Sequence, residues 1–293
     1  MINLSMENFV QYSPMAFDIV SHVLTLGFAV MIAALLYFVL TIRTVAPQYR
    51  ISSVLSVVVM VSAFLILFAQ QQSWQNAFAF DPQLGLYVRN PDTLAFTNGF
   101  RYLNWLIDVP MLLLQILFVV AISQARRASL RNTFFLTGGL MIITGYIGQF
   151  YEVGAENLSQ FLIWGTISTV FFVVVLWQMF GLLREARRNM SPEAGVWTTR
   201  IWWLFFFSWM LYPGAYLAPL LLDSTATLVD PATAGSISEI AVVGRQITFT
   251  IADIVSKVIY GVFLTIMAQV RSAEEGYVYE KLGGRDEAVA LGD

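Results

Sequence analysis

The sequence predicts an all-α membrane protein with seven transmembrane helices, and three observations carry that reading. Its 293 residues are 58% hydrophobic and only 12% charged, with a mean hydropathy of +0.69, whereas a soluble domain carries about 25% charged residues. Seven apolar stretches reach the ~20 residues a helix needs to cross a bilayer. Arginines collect in every second loop between them. In lipid the backbone must satisfy its own hydrogen bonds, which makes helices of spans this long.

Residues 1–14 contain no Lys or Arg and no long apolar run, so they are not a cleavable signal peptide and read as an outside segment, a short amphipathic lid. The spans follow at residues 16–42, 51–72, 97–124, 132–153, 158–183, 198–222 and 239–270. The loop after span one carries Arg43 and Arg50, the loop after span three Arg126, Arg127 and Arg131, and the loop after span five Arg184, Arg187 and Arg188. The alternate loops carry Asp81, Arg89 and Asp92, then Glu152 and Glu156, then Asp223 and Asp230. The positive-inside rule puts the N-terminus outside and the C-terminus in the cytoplasm. Residues 73–96, with the patches FAFDPQLGLYV, predict a short extracellular β-hairpin between helices two and three; a disordered loop is the alternative. Ser191 and Pro192 read as the N-cap and first residue of a helix. The chain divides into one transmembrane domain over residues 1–272 and a polar, mobile cytoplasmic tail over 273–293.

Composition also excludes whole classes of function. Without cysteine there is no disulfide, thiolate nucleophile or cysteine metal site. The single histidine, His22, makes no histidine cluster. Neither lysine follows a glycine, so no phosphate-binding G-x-x-x-x-G-K-[ST] loop exists. A net charge of −3 with basic residues confined to short loops argues against nucleic acid as a partner, and no enzyme active site is predicted.

Of 16 basic residues, 14 are arginine, and the lysines are Lys281 in the polar tail and Lys257 in the middle of the seventh span. A charged amine at bilayer depth costs ~2.5 to 3.5 kcal/mol on insertion scales and marks a functional candidate. An amine in an apolar pocket can form a Schiff base with an aldehyde, and Asp253, one turn earlier on the same face, is placed as counterion. The alternative is a lysine that only pairs with Asp253. In span three, Asn104, Asp108 and Gln115 fall within about 40° of one another on a helix, with Arg101 at the edge of that face. Such a stripe lines a cavity, an ion path or a ligand pocket; helix-to-helix glue is the competing explanation and suits Asn and Gln better than Asp. Spans three and seven run the same way, so Asp108 and Asp253 converge on Lys257.

These stretches carry a resemblance. The motifs DIVSK (residues 253–257), RYLNW (101–105) with DVP (108–110), and SWMLYPGAY (208–216) resemble the microbial (type 1) rhodopsins, and the likeness runs from ENF at residues 7–9 through GYIGQFYEV (145–153) to the end of helix seven. That family implies seven helices around a pocket holding all-trans retinal on Lys257. Asn104, Asp108 and Gln115 match the Asn-Asp-Gln signature of its light-driven sodium pump group. The resemblance implies a light-driven outward sodium pump that moves protons when sodium is scarce, with Asp108 as proton acceptor, Arg101 as outer gate and transient sodium held near Asn104 and Asp253. It further implies that Trp105, Trp209, Tyr212 and Pro213 wall the retinal slot, that Ser256 adjusts the hydrogen bonds at the imine, and that Ser62 and Gln70 lie on the ion path. Gln149, Glu152 and Arg245 resemble an outer cluster near sodium release; Arg245 and Glu152 read equally as a plain interfacial ion pair. His22 resembles a residue at the protomer interface of pentameric relatives, so a homo-pentamer in membrane lipid is implied, without a transducer protein. The expected location is a bacterial inner (cell) membrane, crossed several times. Ser53 and Thr265 depart from the Asn and Gly of relatives at the cytoplasmic entrance, and Leu94 with Asp92 departs at an extra outside sodium site, which is not expected here. An outward proton pump, a photosensor and a retinal-free transporter are the competing functions.

Overall fold

The computed structural model describes residues 5–218 and 238–277. The expected end of span six, Asp223, Asp230 and the tail beyond residue 277 lie outside them. Seven helices are present: α1 (Pro14–Thr41), α2 (Arg50–Ala77), α3 (Gly99–Val119), α4 (Gln124–Gln149), α5 (Leu158–Arg188), α6 (Pro192–Tyr216) and α7 (Glu239–Glu274). Five of them, α1, α2, α3, α5 and α7, are long and apolar enough to cross a membrane by length and composition. Each helix packs on the next, and α7 closes the bundle against α6 and α1. Within that bundle α3 is central: 72% of its most apolar window is buried, against 28% for α1 and for α5.

The boundaries differ from the hydropathy reading where helices continue past the apolar zone. The span expected at residues 97–124 ends at Val119, because Val120 turns extended (φ −85, ψ 153). Ser123 then N-caps α4, accepting from Arg126 N at 3.2 Å. Helix α4 therefore starts eight residues before its expected first residue, with Arg126, Arg127 and Arg131 in its opening turns. Likewise α6 begins at Pro192 behind the Ser191 cap, which accepts from Ala194 N at 3.1 Å, and not at residue 198. Backbone hydrogen bonds and caps set these ends, whereas hydropathy registers only the apolar middle. The first two residues assigned to the tail, Ala273 and Glu274, complete α7.

The loop after α2 forms the expected hairpin, β1 (Phe78–Asp81) against β2 (Leu86–Arg89), antiparallel with Phe78 opposite Arg89. Asp81 Oδ1 accepts from Gln83 N at 2.8 Å, and Gly85 takes the left-handed φ of 68° that closes the turn. Tyr12 pairs backbone to backbone with Tyr87, and Phe17 stacks on Tyr87 at 3.9 Å. Met6–Phe9 forms a short 3-10 helix. Asn8 holds it to the chain before α3, donating to Phe96 O at 2.8 Å and accepting from Phe96 N at 2.9 Å. The segment before α1 is thereby fixed over one end of the bundle.

Close helix contacts rest on glycine at a few points. A Cβ on Gly261 of α7 would stand 2.6 Å from Cζ of Phe38, a ring buried between helices. Gly261→Ala is expected to destabilise the bundle by ~1–3 kcal/mol through overpacking, seen as earlier thermal loss of helical circular dichroism in detergent, with Phe38→Leu restoring part of it. An unchanged melting profile in Gly261→Ala would reject that contact as a constraint.

Candidate functional site

Helix α7 changes character where its lysine sits. Ile254–Ile259 is a π-helical turn, a widened form seen mostly as single turns and frequently at functional sites. Lys257 Nζ lies 2.9 Å from Asp253 Oδ1 and 3.1 Å from Asp108 Oδ2. It also donates to Asn104 Oδ1. Lys257, Asp108, Asp253, Asn104 and Arg101 are all buried, at 1% exposure or less. Arg101 Nη1 donates to Asp253 Oδ2 at 2.8 Å. Two cations and two carboxylates thus share one buried cluster, which is the condition for keeping charge out of water. The two acids are held differently. Asp253 Oδ1 also accepts from Trp105 Nε1 and Tyr212 Oη, each at 3.0 Å, whereas neither oxygen of Asp108 accepts a well-aligned hydrogen bond from the protein.

The remaining residues singled out in the sequence fall around this cluster. Ser256 Oγ lies 2.8 Å from Tyr212 Oη. Ser62 Oγ accepts from Asn104 Nδ2 at 3.1 Å. Gln115, further along α3, accepts from Ser56 Oγ at 3.1 Å. Beside Lys257 lies a cavity of about 350 Å³ with Trp105, Trp209, Tyr212, Pro213 and Ser256 in its lining. Trp105 meets Tyr212 edge-on at 4.9 Å, and Trp209 lies 4.3 Å from Phe205. A predominantly apolar, aromatic cavity of this size that opens on one primary amine fits an elongated apolar aldehyde.

A second buried polar group fills the hairpin end. Arg245 Nη2 donates to Glu152 Oε2 at 2.7 Å, and its Nη1 is 3.6 Å from Glu7 Oε1, an ion pair beyond hydrogen-bond reach. Glu152 is only 3% exposed and Arg245 0%, so the ion pair is buried: the segment before α1 covers it, with Ser5 Oγ and Met6 N donating to Glu152 Oε1 at 2.9 and 3.0 Å. Gln149 ends α4 nearby, its Nε2 against Gly99. Gln70 donates to Asn98 Oδ1 at 3.3 Å. His22 lies on the exposed face of α1, Ser53 and Thr265 are buried at the opposite end, and Leu94 is 91% exposed.

Sequence reasoning gave no role to Glu7, Asn98, Gln246 or Thr250. Gln246 joins the two clusters: its Oε1 accepts from Arg101 Nη2 at 3.2 Å, while its Nε2 donates to Glu7 Oε1 at 2.8 Å and to Asn98 Oδ1 at 3.0 Å. Thr250 Oγ1 accepts from Arg101 Nη2 at 3.2 Å. A signal existed, since Gln246, Thr250, Asp253 and Lys257 recur at steps of four, three and four, one face of a helix. Glu7 had only its solitary charge in an uncharged N-terminal stretch.

A seven-helix bundle with a buried, counterion-held lysine beside an aromatic cavity defines a retinal-type membrane photoprotein. The chain belongs to the bacteriorhodopsin-like protein family, whose model matches residues 18–270. That family comprises light-driven ion pumps and photoreceptors, generally not enzymes, which bind retinal through a Schiff-base lysine. Xanthorhodopsin, a light-driven ion pump with dual chromophore, superposes with TM-score 0.79 and 29% identity over 92% of this chain and 99% of its own. A thermophilic rhodopsin gives 0.78 and 27% over 91% and 99%. By sequence, a bacteriorhodopsin-II-like protein of Haloquadratum walsbyi is 26% identical over 56% of this chain and 58% of its own. A green-light absorbing proteorhodopsin of a gamma-proteobacterium is 22% identical over 64% and 67%. The match thus spans less than two thirds of the first relative's length.

Glu7, outside the spanning helices, is fully buried: burial alone would raise its carboxyl, but the Arg245 charge and hydrogen bonds from Ser5 and Asn98 hold it below the ordinary 4.5. A carboxyl lowered on folding contributes stability that is complete above its unfolded pKa and is lost as pH falls through the folded value. Glu7→Gln is therefore expected to flatten the acid-side fall in melting temperature below about pH 4.5. An acid-side slope equal to that of the unsubstituted protein would refute the assignment.

Proposed function

We propose that the protein is a light-driven outward sodium pump, with the arginine-rich end of the bundle in the cytoplasm and the hairpin end outside. One observation supports this reading most: among the described residues the buried carboxylates are Glu7, Asp108, Glu152 and Asp253, at the amine or on its hairpin side. Past Lys257 toward the arginine-rich end, Gln115 of α3 accepts from Ser56 of α2, and the buried polar side chains there include Ser52, Ser53, Thr198, Thr265 and Ser272. A carboxamide does not protonate at physiological pH. Among the described residues, a proton lost outward from the amine has no buried acid on the cytoplasmic side to replace it, so a one-way proton cycle is disfavoured.

Retinal, bound to Lys257, supplies light absorption and a change of shape. Asp108, with both oxygens free of well-aligned partners, takes the proton from Nζ. Asp253, held by Arg101, Trp105 and Tyr212, stays ionised. With Nζ neutral, the electrostatic barrier to a passing cation falls, and sodium crosses between Asn104 and Asp253 toward the hairpin end. Asp108 then returns its proton to Nζ, and the restored positive charge blocks backflow. Arg101 with Gln246 forms the outer gate, and Ser62, Gln70, Gln149, Glu152 and Arg245 line the exit. Moving one charge against 100 mV needs ~2.3 kcal/mol, which light supplies. A homo-pentamer in the bacterial cell membrane is part of the proposal. Outward proton pumping is the second reading, favoured by the xanthorhodopsin and proteorhodopsin relatives.

Illuminated cells carrying the protein with retinal decide between them. In sodium salts the medium should alkalinise, more so with protonophore and equally in sulfate; acidification abolished by protonophore in both sodium and potassium chloride would establish the proton pump instead. Lys257→Ala is expected to lose the visible band altogether, and a coloured variant would sink the retinal assignment. Asp108→Asn is expected to lower sodium transport by about a hundredfold or more, whereas undiminished currents would remove Asp108 as the acceptor.

A further inference from the structure

At the arginine-rich end, α3 stops at Val119 and α4 starts at Gln124, leaving a cavity of about 230 Å³ between the two helix ends. Leu114, Leu117 and Phe118 of α3 line one side, and Gln124, Arg127, Ala128 and Arg131 of α4 the other. The two arginines stand one turn apart on one face of α4, and no acidic residue lines the space. The partners of the neighbouring arginines make Arg127 distinctive. Arg126 pairs with Glu185 at 3.3 Å, Arg131 Nε donates to Asn132 Oδ1 at 3.2 Å, and Arg271 donates to Val119 O at 2.6 Å. Arg127 is partly buried, and its shielded Nε has no hydrogen-bond partner. A buried guanidinium nitrogen without an acceptor is costly unless a ligand supplies one.

We propose that this cavity binds one anionic phospholipid molecule, its phosphate on Arg127 and Arg131 and the start of an acyl chain along Leu114, Leu117 and Phe118. The charge is complementary, since arginine is suited to phosphate oxygens. The depth is appropriate too: the leucines and Phe118 belong to the apolar span of α3, and the arginines lie where the charged turns of α4 begin. Basic pockets between membrane helices at such a boundary recognise lipid headgroups. Free phosphate would satisfy the arginines and leave the apolar side unused, so the lipid is the occupant that matches both sides. The site is separate from the Lys257 cavity, and the inference is independent of which ion is transported.

The test is native mass spectrometry of the coloured, full-length protein in detergent, titrated with phosphatidylglycerol or with phosphatidylcholine. Phosphatidylglycerol should bind at one molecule per protomer, and R127Q/R131Q should weaken it by at least about tenfold. R126Q, whose arginine pairs outside the cavity, should bind as the unsubstituted protein does. Millimolar inorganic phosphate should not displace the lipid. Equal binding of phosphatidylcholine, or unchanged binding in the double variant, would overturn the proposal; displacement by phosphate would make the site a free-anion site. Loss of protomer association in the double variant without loss of lipid would make it an interface between copies. The visible band verifies that each variant folds, and should R127Q/R131Q lack it, the comparison of the two lipids on the unsubstituted protein decides the question alone.

Discussion

The bundle is built around the cost of burying charge. Lys257 and Arg101 enter the interior from α7 and α3, and each is matched by a carboxylate within 3.1 Å. Removing one member would leave a buried charge uncompensated, a loss of ~3–5 kcal/mol in comparable pairs. The cluster therefore ties α3 to α7 across the centre of the molecule. It also explains why the polar residues of these helices face inward while Trp177 and Leu40, at 78% and 76% exposed, point outward: lipid accepts the aromatic and aliphatic side chains and rejects the ions.

Within the cluster, the two acids are held differently. Asp253 receives Arg101, Trp105 and Tyr212 as well as Lys257, so its negative charge is satisfied from several sides. Asp108 has the amine and the nearby Ser62 hydroxyl, neither in a well-aligned hydrogen bond. A carboxylate that accepts three hydrogen bonds is held more firmly as an anion than one with fewer partners. Both are aspartates on helix faces that meet; their partners, not their chemistry, distinguish them.

From Asp253 the hydrogen bonds continue through Arg101 and Gln246 to Glu7, and there meet Arg245 and Glu152. The outer part of this chain depends on four residues at the start of the sequence. Met6–Phe9 supplies Glu7 and covers Glu152, and the Asn8 clamp on Phe96 together with the Tyr12 bridge to Tyr87 keeps it seated. The hairpin between α2 and α3 is thus part of the support for the polar interior as well as a connection.

The sequence by itself determined the class of fold and the centre of the site. Long apolar stretches can only be helices in lipid, a lone lysine within one of them needs anions, and helical periodicity alone put Asn104, Asp108 and Gln115 on one face and Asp253 beneath Lys257. Local chemistry was legible as well, as in the Ser191 cap and the hairpin turn. Tertiary structure decided what periodicity cannot reach. It decided that Glu7 leaves the surface to sit beside Arg245, that Gln246 bridges two clusters, that Glu152 is covered, and that Arg127 Nε is left without an acceptor at the junction of α3 and α4. The physical reason is common to all four: burial and partnership between residues up to 239 positions apart depend on how helices and a terminal segment pack, and a one-dimensional pattern of apolar and polar residues carries the face of a helix but not the identity of what lies against it.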